Sequence, residues 1–539
     1  MKKTLKKFAA VGLTLTSVMS LVACGNKETK KEKETVDWAS VEKPGKFTVM
    51  VDGTVVKESN GAQEFYDYYE SLTGLEIEWI RPEHGSYYDS VKNAFASDSI
   101  PDVVLLGSDY LANFASNGYL WDMTDAWANS ATKNSGRLID VAESVQAANI
   151  VAGPTGEKAL YGFSPFRGNG CCTYIKSSAL TAAGYDPSTV ASKQMTFDEY
   201  YTMLKKIQST SANKNFVISC SGFVAGGASG TPEAPYTNYL PEFYQNANFT
   251  FYYDEAAKEY KDGFSEEAMK KAMERLNTAV NDKILDKASQ NQTTGDARNK
   301  FYSKDATTES AVFTYWAGKW AKTLQNSIAN KEDKLIAILP IKELGAYTER
   351  LATSWCITYK AYEDGKAEGI YKYFIDTMLD GGDVQTAWEY GAKGTHWDDV
   401  ACDAYTIGKK TYGPYKEGEF HLLATPEDST KQMSKNHIEN QLACANFGDK
   451  TDPGMAVEDP IAAENFKMFN ANCKVATPLT ATEVLNNNIT EINTKRLEVL
   501  SQVILGEKSY ADAMADYEKQ VGAKIDAVIE SLNETLETK

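Results

Sequence analysis

The sequence predicts an α/β protein of two lobes, each a mainly parallel sheet flanked by helices, and three observations carry that reading. Short apolar runs alternate with amphipathic segments of helical period, the pattern of a doubly wound sheet. The chain is 539 residues long, more than one hydrophobic core usually supports, so two lobes are expected. No stretch beyond the N-terminal region approaches the roughly 20 apolar residues that a membrane span needs.

The elements are taken in chain order. Lys2, Lys3, Lys6 and Lys7 precede an uncharged run over residues 8–23, the basic and apolar regions of an export signal. Residues 26–35 alternate lysine with glutamate and hold almost no apolar side chain. They cannot bury a core and read as a solvated tether. "KFTVMV" is a buried strand leading to the turn at Asp52-Gly53, "AQEFYDYYESLTG" a helix closed by Gly74, and "LEIEWI" a second strand. Tyr88, Val91 and Phe95 share one face of the next helix, and "SIPDVVLLGS" is a third strand introduced by Pro101. Further on, "TYIKSSALTAAGY" reads as strand then helix, and "TFDEYYTMLKKIQ" as an amphipathic helix with Thr196 at its N-cap. "NFVISC", "KLIAILPI" and "ATSWCITYKA" are strand runs. Two helical faces close the chain, one with Leu497, Leu500 and Ile504, the other with Tyr517, Val521, Ile525, Val528 and Leu532. Residues 383–480, rich in Gly, Asp and Tyr, show no clear period.

Charge and cysteines narrow the function. Losing residues 1–23 would remove four lysines and no acid, moving the net charge from −18 to −22. Such a chain is not built for nucleic acid or an anionic membrane face, which need basic patches. Beyond Cys24 lie seven widely spaced cysteines without a CxxC pair, so neither a disulfide scaffold nor a zinc module is indicated, and at least one thiol stays free. There is no GxSxG and no P-loop, and the four histidines are scattered. No catalytic residue, metal or cofactor is expected.

Two resemblances sharpen this. Leu21-Val22-Ala23-Cys24, followed by Gly25, resembles a bacterial lipobox, which implies cleavage before Cys24 and a diacylglycerol on its thiol. More than one acyl chain suits stable anchoring, since one gives only marginal membrane binding. The second begins in "PDVVLLGSDYLANFASNGYLWDMTD", where Pro101, Asp102, Leu111, Ala112, Phe114, Ala115, Gly118, Leu120 and Thr124 are similar to the solute-binding proteins of carbohydrate ABC importers. "LYGFSPFRGNGCCTYIKSSALTAAGYDPS", "TFDEYYTMLKKI", "ESAVFTYWAGKW", "EYGAKGTHWD" and "ILGEKSYADAMADYEKQV" resemble later blocks of that family, in the family's order.

The resemblance implies a type II periplasmic-binding-protein-like fold whose lobes close on a ligand about a hinge. Its boundaries would be a signal peptide at 1–23, lipidated Cys24 with a charged tether at 24–40, a first lobe at 41–160 plus about 341–385, and a second at 161–340 plus about 386–539. It implies a monomer on the outer face of a Gram-positive-type membrane, held by lipid only, capturing a carbohydrate for ABC permease subunits. The calcium loop of some long members is absent, because "QSTSANKNFVISC" offers no carboxylates there.

Candidate ligand contacts come from loops after strands. Asp52 follows the first strand, with a plain turn as the alternative. Ser108 and Asp109 follow "DVVLL", Asp109 matching a family acid for sugar hydroxyls or else capping the next helix; Tyr110 adjoins them. Arg167 in "PFRGNG" is a bidentate donor to hydroxyls or an acidic sugar, or else a surface salt-bridge partner. Trp316 and Trp320 in "TYWAGKW" are either sugar platforms or core residues four apart on one helix face. Trp355 and Trp397 are further platforms, and the glycine-rich residues 222–230 a loop able to line the cleft. One candidate cleft arginine in an acidic chain leans toward a neutral oligosaccharide. A peptide ligand, or a sensor role beside a membrane kinase, stays open.

Overall fold

The computed structural model describes residues 36–97, 99–224, 239–407, 410–423, 443–448, 460–477, 480 and 482–537. The export signal, Cys24 and residues 25–35 of the tether lie outside these residues, as do 225–230 of the glycine-rich loop. The chain divides into Met1–Ser40 and Val41–Lys539, and both lobes belong to the second unit.

The first lobe opens with β1 (Phe47–Met50), α1 (Ala62–Thr73), β2 (Ile77–Ile80), α2 (Tyr87–Ala96), β3 (Val103–Leu106) and α3 (Ser108–Ser116). Gly74 ends α1 as expected, in the left-handed conformation (φ 63°), its amide bonded to the Glu70 carbonyl. β1 runs parallel to both neighbours, with Phe47 opposite Ile77 and Val49 opposite Val103. The second lobe holds β4 (Cys171–Lys176), α4 (Phe197–Thr210), α5 (Thr294–Tyr302), β5 (Val312–Trp316), α6 (Lys319–Ser327) and β6 (Leu335–Ala337). The chain then recrosses through β7 (Tyr347–Glu349) to β8 (Ser354–Ile357) and α7 (Asp383–Tyr390). It ends with α8 (Pro460–Asn470), β9 (Cys473–Val475), α9 (Glu483–Ile504) and α10 (Tyr510–Glu537).

β8 joins the first sheet antiparallel to β3, giving the order β8-β3-β1-β2. Alternation along β8 divides two cores. Trp355 meets Phe374 and Trp388 edge-on, while Cys356 joins Tyr87, Val91, Leu106 and Leu111. The second sheet, β6-β4-β5, departs from the parallel expectation, because both neighbours run against β4. β5, α6 and β6 do form a parallel crossover, as strand–helix–strand alternation implies, but β4 is inserted between its strands in the opposite sense. The "NFVISC" strand shrinks to Ile218, bridged to Leu285 and Val312. There the Ser219 hydroxyl turns to Asp286 (2.8 Å) and the chain leaves the sheet.

α4 starts with a complete capping box. Thr196 Oγ1 accepts from the Glu199 amide (3.2 Å), and Glu199 Oε2 from the Thr196 amide (2.9 Å). Replacing Thr196 with Ala should cost about 1 kcal/mol in urea denaturation, and Thr196→Ser much less.

The segment that follows the expected lobe switch near 386 makes contacts with α1. α7 belongs with the first lobe, Trp388 meeting Phe65 (5.3 Å) and Tyr69 (5.2 Å) of α1. Buried His396 comes after it, Nε2–H donating to the Asn60 carbonyl (2.7 Å) and Nδ1 accepting from the Ala392 amide (2.9 Å). Ala445 bridges Leu138, and only α8, packed on α6, is back in the second lobe. The aromatic core around Trp388 thus holds α7 on α1.

Candidate functional site

The lobes are joined by extended segments that exchange backbone hydrogen bonds. Phe163 and Trp355 pair reciprocally (3.0 and 2.8 Å), the Arg350 amide donates to the Asn169 carbonyl (2.9 Å), and the Ala476 amide to the Glu349 carbonyl (2.8 Å). Gly168 and Gly170 allow this closeness. A Cβ on them would sit 1.8 Å from the Arg350 carbonyl oxygen and 2.1 Å from that of Thr348, respectively. Backbone cannot yield as a flexible side chain can.

Arg167 lies inside this hinge and not on a cleft wall. It is 7 % exposed, its Nε lies 3.1 and 3.2 Å from the two Glu349 carboxylate oxygens, and its Nη2 also donates to Glu349. The fork expected to hold a ligand is taken up by a protein carboxylate. Trp355, 2 % exposed, is part of the first-lobe core. Trp397, 8 % exposed, stacks on Phe420 and donates to the Gly391 carbonyl (2.8 Å). Neither indole offers a face to solvent. In the sequence each is an aromatic beside polar residues, and periodicity does not say which side of a short strand is covered.

The remaining candidates gather at the strand ends nearest the hinge. In the first lobe, Asp52 follows β1. Its Oδ1 accepts from the Thr54 amide (2.8 Å) and hydroxyl (2.7 Å), and its Oδ2 meets His84 Nδ1 at 2.7 Å. Ser108 and Asp109 begin α3 directly after β3. Tyr110, on the same turn, stacks on Tyr88 with centroids 3.9 Å apart and planes 10° from parallel. The Tyr88 hydroxyl accepts from the Gly107 amide (2.9 Å), tying α2 to the end of β3. Burial lifts this phenol to about 12, while the Gly107 bond and the charge of Arg350 pull it back.

In the second lobe Trp316 and Trp320 do not share a helix face. Trp316 ends β5 opposite Cys171, and Trp320 lies in the first turn of α6. Gly318 makes the turn between them (φ 72°), donating its amide to Asn465 Oδ1 (2.6 Å). Both indoles are half-buried. Trp320 meets Tyr315 edge-on at 4.9 Å.

Two arginines that carry no signal in the sequence stand on these rings. Arg298 of α5 lies 5.0 Å above Trp320 and 5.5 Å above Tyr315, and donates to the Tyr315 hydroxyl (3.2 Å). Arg350, just past β7, lies 5.8 Å above Trp316. Tyr88 reads from sequence only as a helix-face residue. None of the three lies in a recognisable motif, and only the tertiary fold brings them to the tryptophans and Tyr110. All seven cysteines described are free thiols, five of them buried.

The arrangement is a polar and aromatic site at a hinge, and it suits binding. Comparison with known proteins agrees. Residues 54–380 match the family model described as bacterial extracellular solute-binding protein. No curated protein sequence matches the chain. Among solved structures, an HMO-binding ABC-transporter-associated solute-binding protein from Bifidobacterium longum infantis is similar, with TM-score 0.60 and 12 % identity over 92 % of this chain and 99 % of that one. The N-glycan transport solute-binding protein NgtS of Streptococcus pneumoniae gives TM-score 0.57 and 15 % identity over the same shares. Maltose-bound MalE3 of T. maritima gives 0.51 and 16 % over 88 % and 99 %. At these identities the likeness is one of fold, the two-lobed binding-protein architecture. With the family model spanning more than half its length, the chain belongs to the bacterial extracellular solute-binding proteins.

Proposed function

We propose that this protein is the lipid-anchored receptor of an ABC importer, capturing an oligosaccharide between its lobes and delivering it to the permease. One observation carries the ligand class: aromatic faces stand at the hinge-side strand ends of both lobes, Tyr88 and Tyr110 on one, Trp316 and Trp320 on the other. Sugar rings present apolar C–H faces that pack on such rings, while their hydroxyls need polar partners. Asp52, Ser108 and Asp109 are the first-lobe candidates for those hydroxyls. The sugars in the names of the similar structures support the same class. Ligand held by both lobes favours the closed form only through contacts better made there.

Calorimetric titration against an oligosaccharide panel and a peptide library tests this. Binding to glycans alone is expected; heat from peptides and from no glycan overturns it. Trp316→Ala should weaken the bound glycan about tenfold, with thermal unfolding checking that the variant is folded.

Anchoring rests on Cys24 and its lipobox-like context. Cys24→Ala should move the protein from the membrane fraction into the medium, or leave it unprocessed, with ligand affinity unchanged. A membrane-bound, processed Cys24→Ala protein would end the lipid reading.

A further inference from the structure

Each half-buried tryptophan of the second-lobe wall carries a guanidinium on its face, Arg298 on Trp320 and Arg350 on Trp316. The two arginines come from different parts of the fold. Arg298 projects from α5, anchored through the Tyr315 hydroxyl. Arg350 is held by the hinge itself, its amide on Asn169 and its carbonyl packed against Gly168. Among the described residues no carboxylate forms an ion pair with Arg298. The hinge's other arginine, Arg167, is bound to Glu349, and Asp52 in the first lobe is engaged with Thr54 and His84. In a chain of net charge −18, a guanidinium stands beside each of the two rings on which a sugar would pack, Arg350 also donating from Nε to the Leu351 carbonyl (3.4 Å).

We propose that Arg298 and Arg350 select an acidic oligosaccharide, each guanidinium taking the carboxylate of a sugar seated against the neighbouring indole. This rests on the proposed carbohydrate reading and names the class of sugar. The chemistry favours a carboxylate over neutral hydroxyls. A planar fork of donors matches two carboxylate oxygens at once, and charge-assisted hydrogen bonds are roughly twice as strong as neutral ones. The indole faces hold each cation in place before ligand arrives, which lowers the ordering cost of binding. Tyr88 adds support, since Arg350 acts electrostatically on its phenol. The lean toward a neutral ligand rests on a single candidate arginine, and that residue is the one the hinge consumes.

The test uses a panel of tetrasaccharides carrying uronic acids, each paired with its carboxyl-reduced form, titrated calorimetrically into the wild type, Arg298→Gln and Arg350→Gln. Thermal unfolding checks that each variant is folded. The acidic form of at least one pair should bind about tenfold or more tighter than its reduced form. Either Gln variant should lose most of that advantage while binding the reduced form like the wild type, and added salt should weaken only the acidic form. Equal or tighter binding of the reduced forms overturns the carboxylate selection and leaves the carbohydrate reading standing. Unchanged preference in both Gln variants overturns the assignment to these arginines. If no glycan of either kind binds while peptides do, the underlying reading falls and this inference with it.

Discussion

Arg167→Ala should destabilise the protein by about 3–5 kcal/mol, measured as unfolding free energy from urea titration. The cost comes from what remains. Glu349 is 0 % exposed, and without the guanidinium its charge is buried with no counter-ion. Its side chain reaches Cys473 as well, Sγ lying 3.6 Å from Oε2, but a thiol is a weak donor and cannot replace an arginine. The paired change Arg167→Met with Glu349→Leu should recover most of the loss, because a buried ion pair gains little over well-packed apolar groups of similar size. A single Arg167→Ala loss below about 1 kcal/mol would show that the pair is not held as described.

The second large effect is a pH dependence centred on Glu242 in the second lobe. This carboxyl is 1 % exposed and accepts from the Thr173 hydroxyl (2.7 Å), which in turn meets the Thr314 hydroxyl at 2.8 Å. Burial raises its pKa from the ordinary 4.5 to about 7, with the Thr173 and Tyr347 hydroxyls only partly offsetting that. The sign comes from proton counting. Between pH 4.5 and 7 the unfolded chain has released this proton and the folded one retains it, so stability falls as pH rises. The contribution is fully present below 4.5 and is lost by about pH 7, at roughly 1.4 kcal/mol per unit, or about 3 kcal/mol in all. Glu242→Gln keeps a hydrogen-bonding side chain and removes the titration. The difference in unfolding free energy between wild type and this variant should shift toward the variant by that amount across the window. A difference independent of pH would place the Glu242 titration outside it.

Much of the fold was legible locally. β1, α1, β2, α2 and β3 follow from alternating periods and from Gly74, and Thr196 marks the start of α4, because apolar spacing and cap chemistry are properties of a few adjacent residues. The long C-terminal helices were legible for the same reason, and Tyr517, Val521, Ile525, Val528 and Leu532 are all buried. The inserted sense of β4 was not, nor the attachment of α7 to α1. Both depend on partners more than a hundred residues away.

The candidate site divides along the same line. Asp52, the start of α3 and Tyr110 were readable because they directly follow strands, and Trp316 and Trp320 because "TYWAGKW" lies in a block that resembles the family. Whether a side chain there stays partly open is decided by what packs over it from elsewhere. Trp355 and Trp397 are covered by Phe374, Trp388 and Phe420, and Arg167 is bound by Glu349 from the returning hinge strand. Sequence by itself determined the two-lobed α/β class, the first-lobe and C-terminal elements and the family, since these rest on local pattern and motif order. Only the tertiary structure decided which aromatic rings remain half-exposed and that Arg298 and Arg350 stand on them, because burial and cation–π contact are relations between segments far apart in the chain.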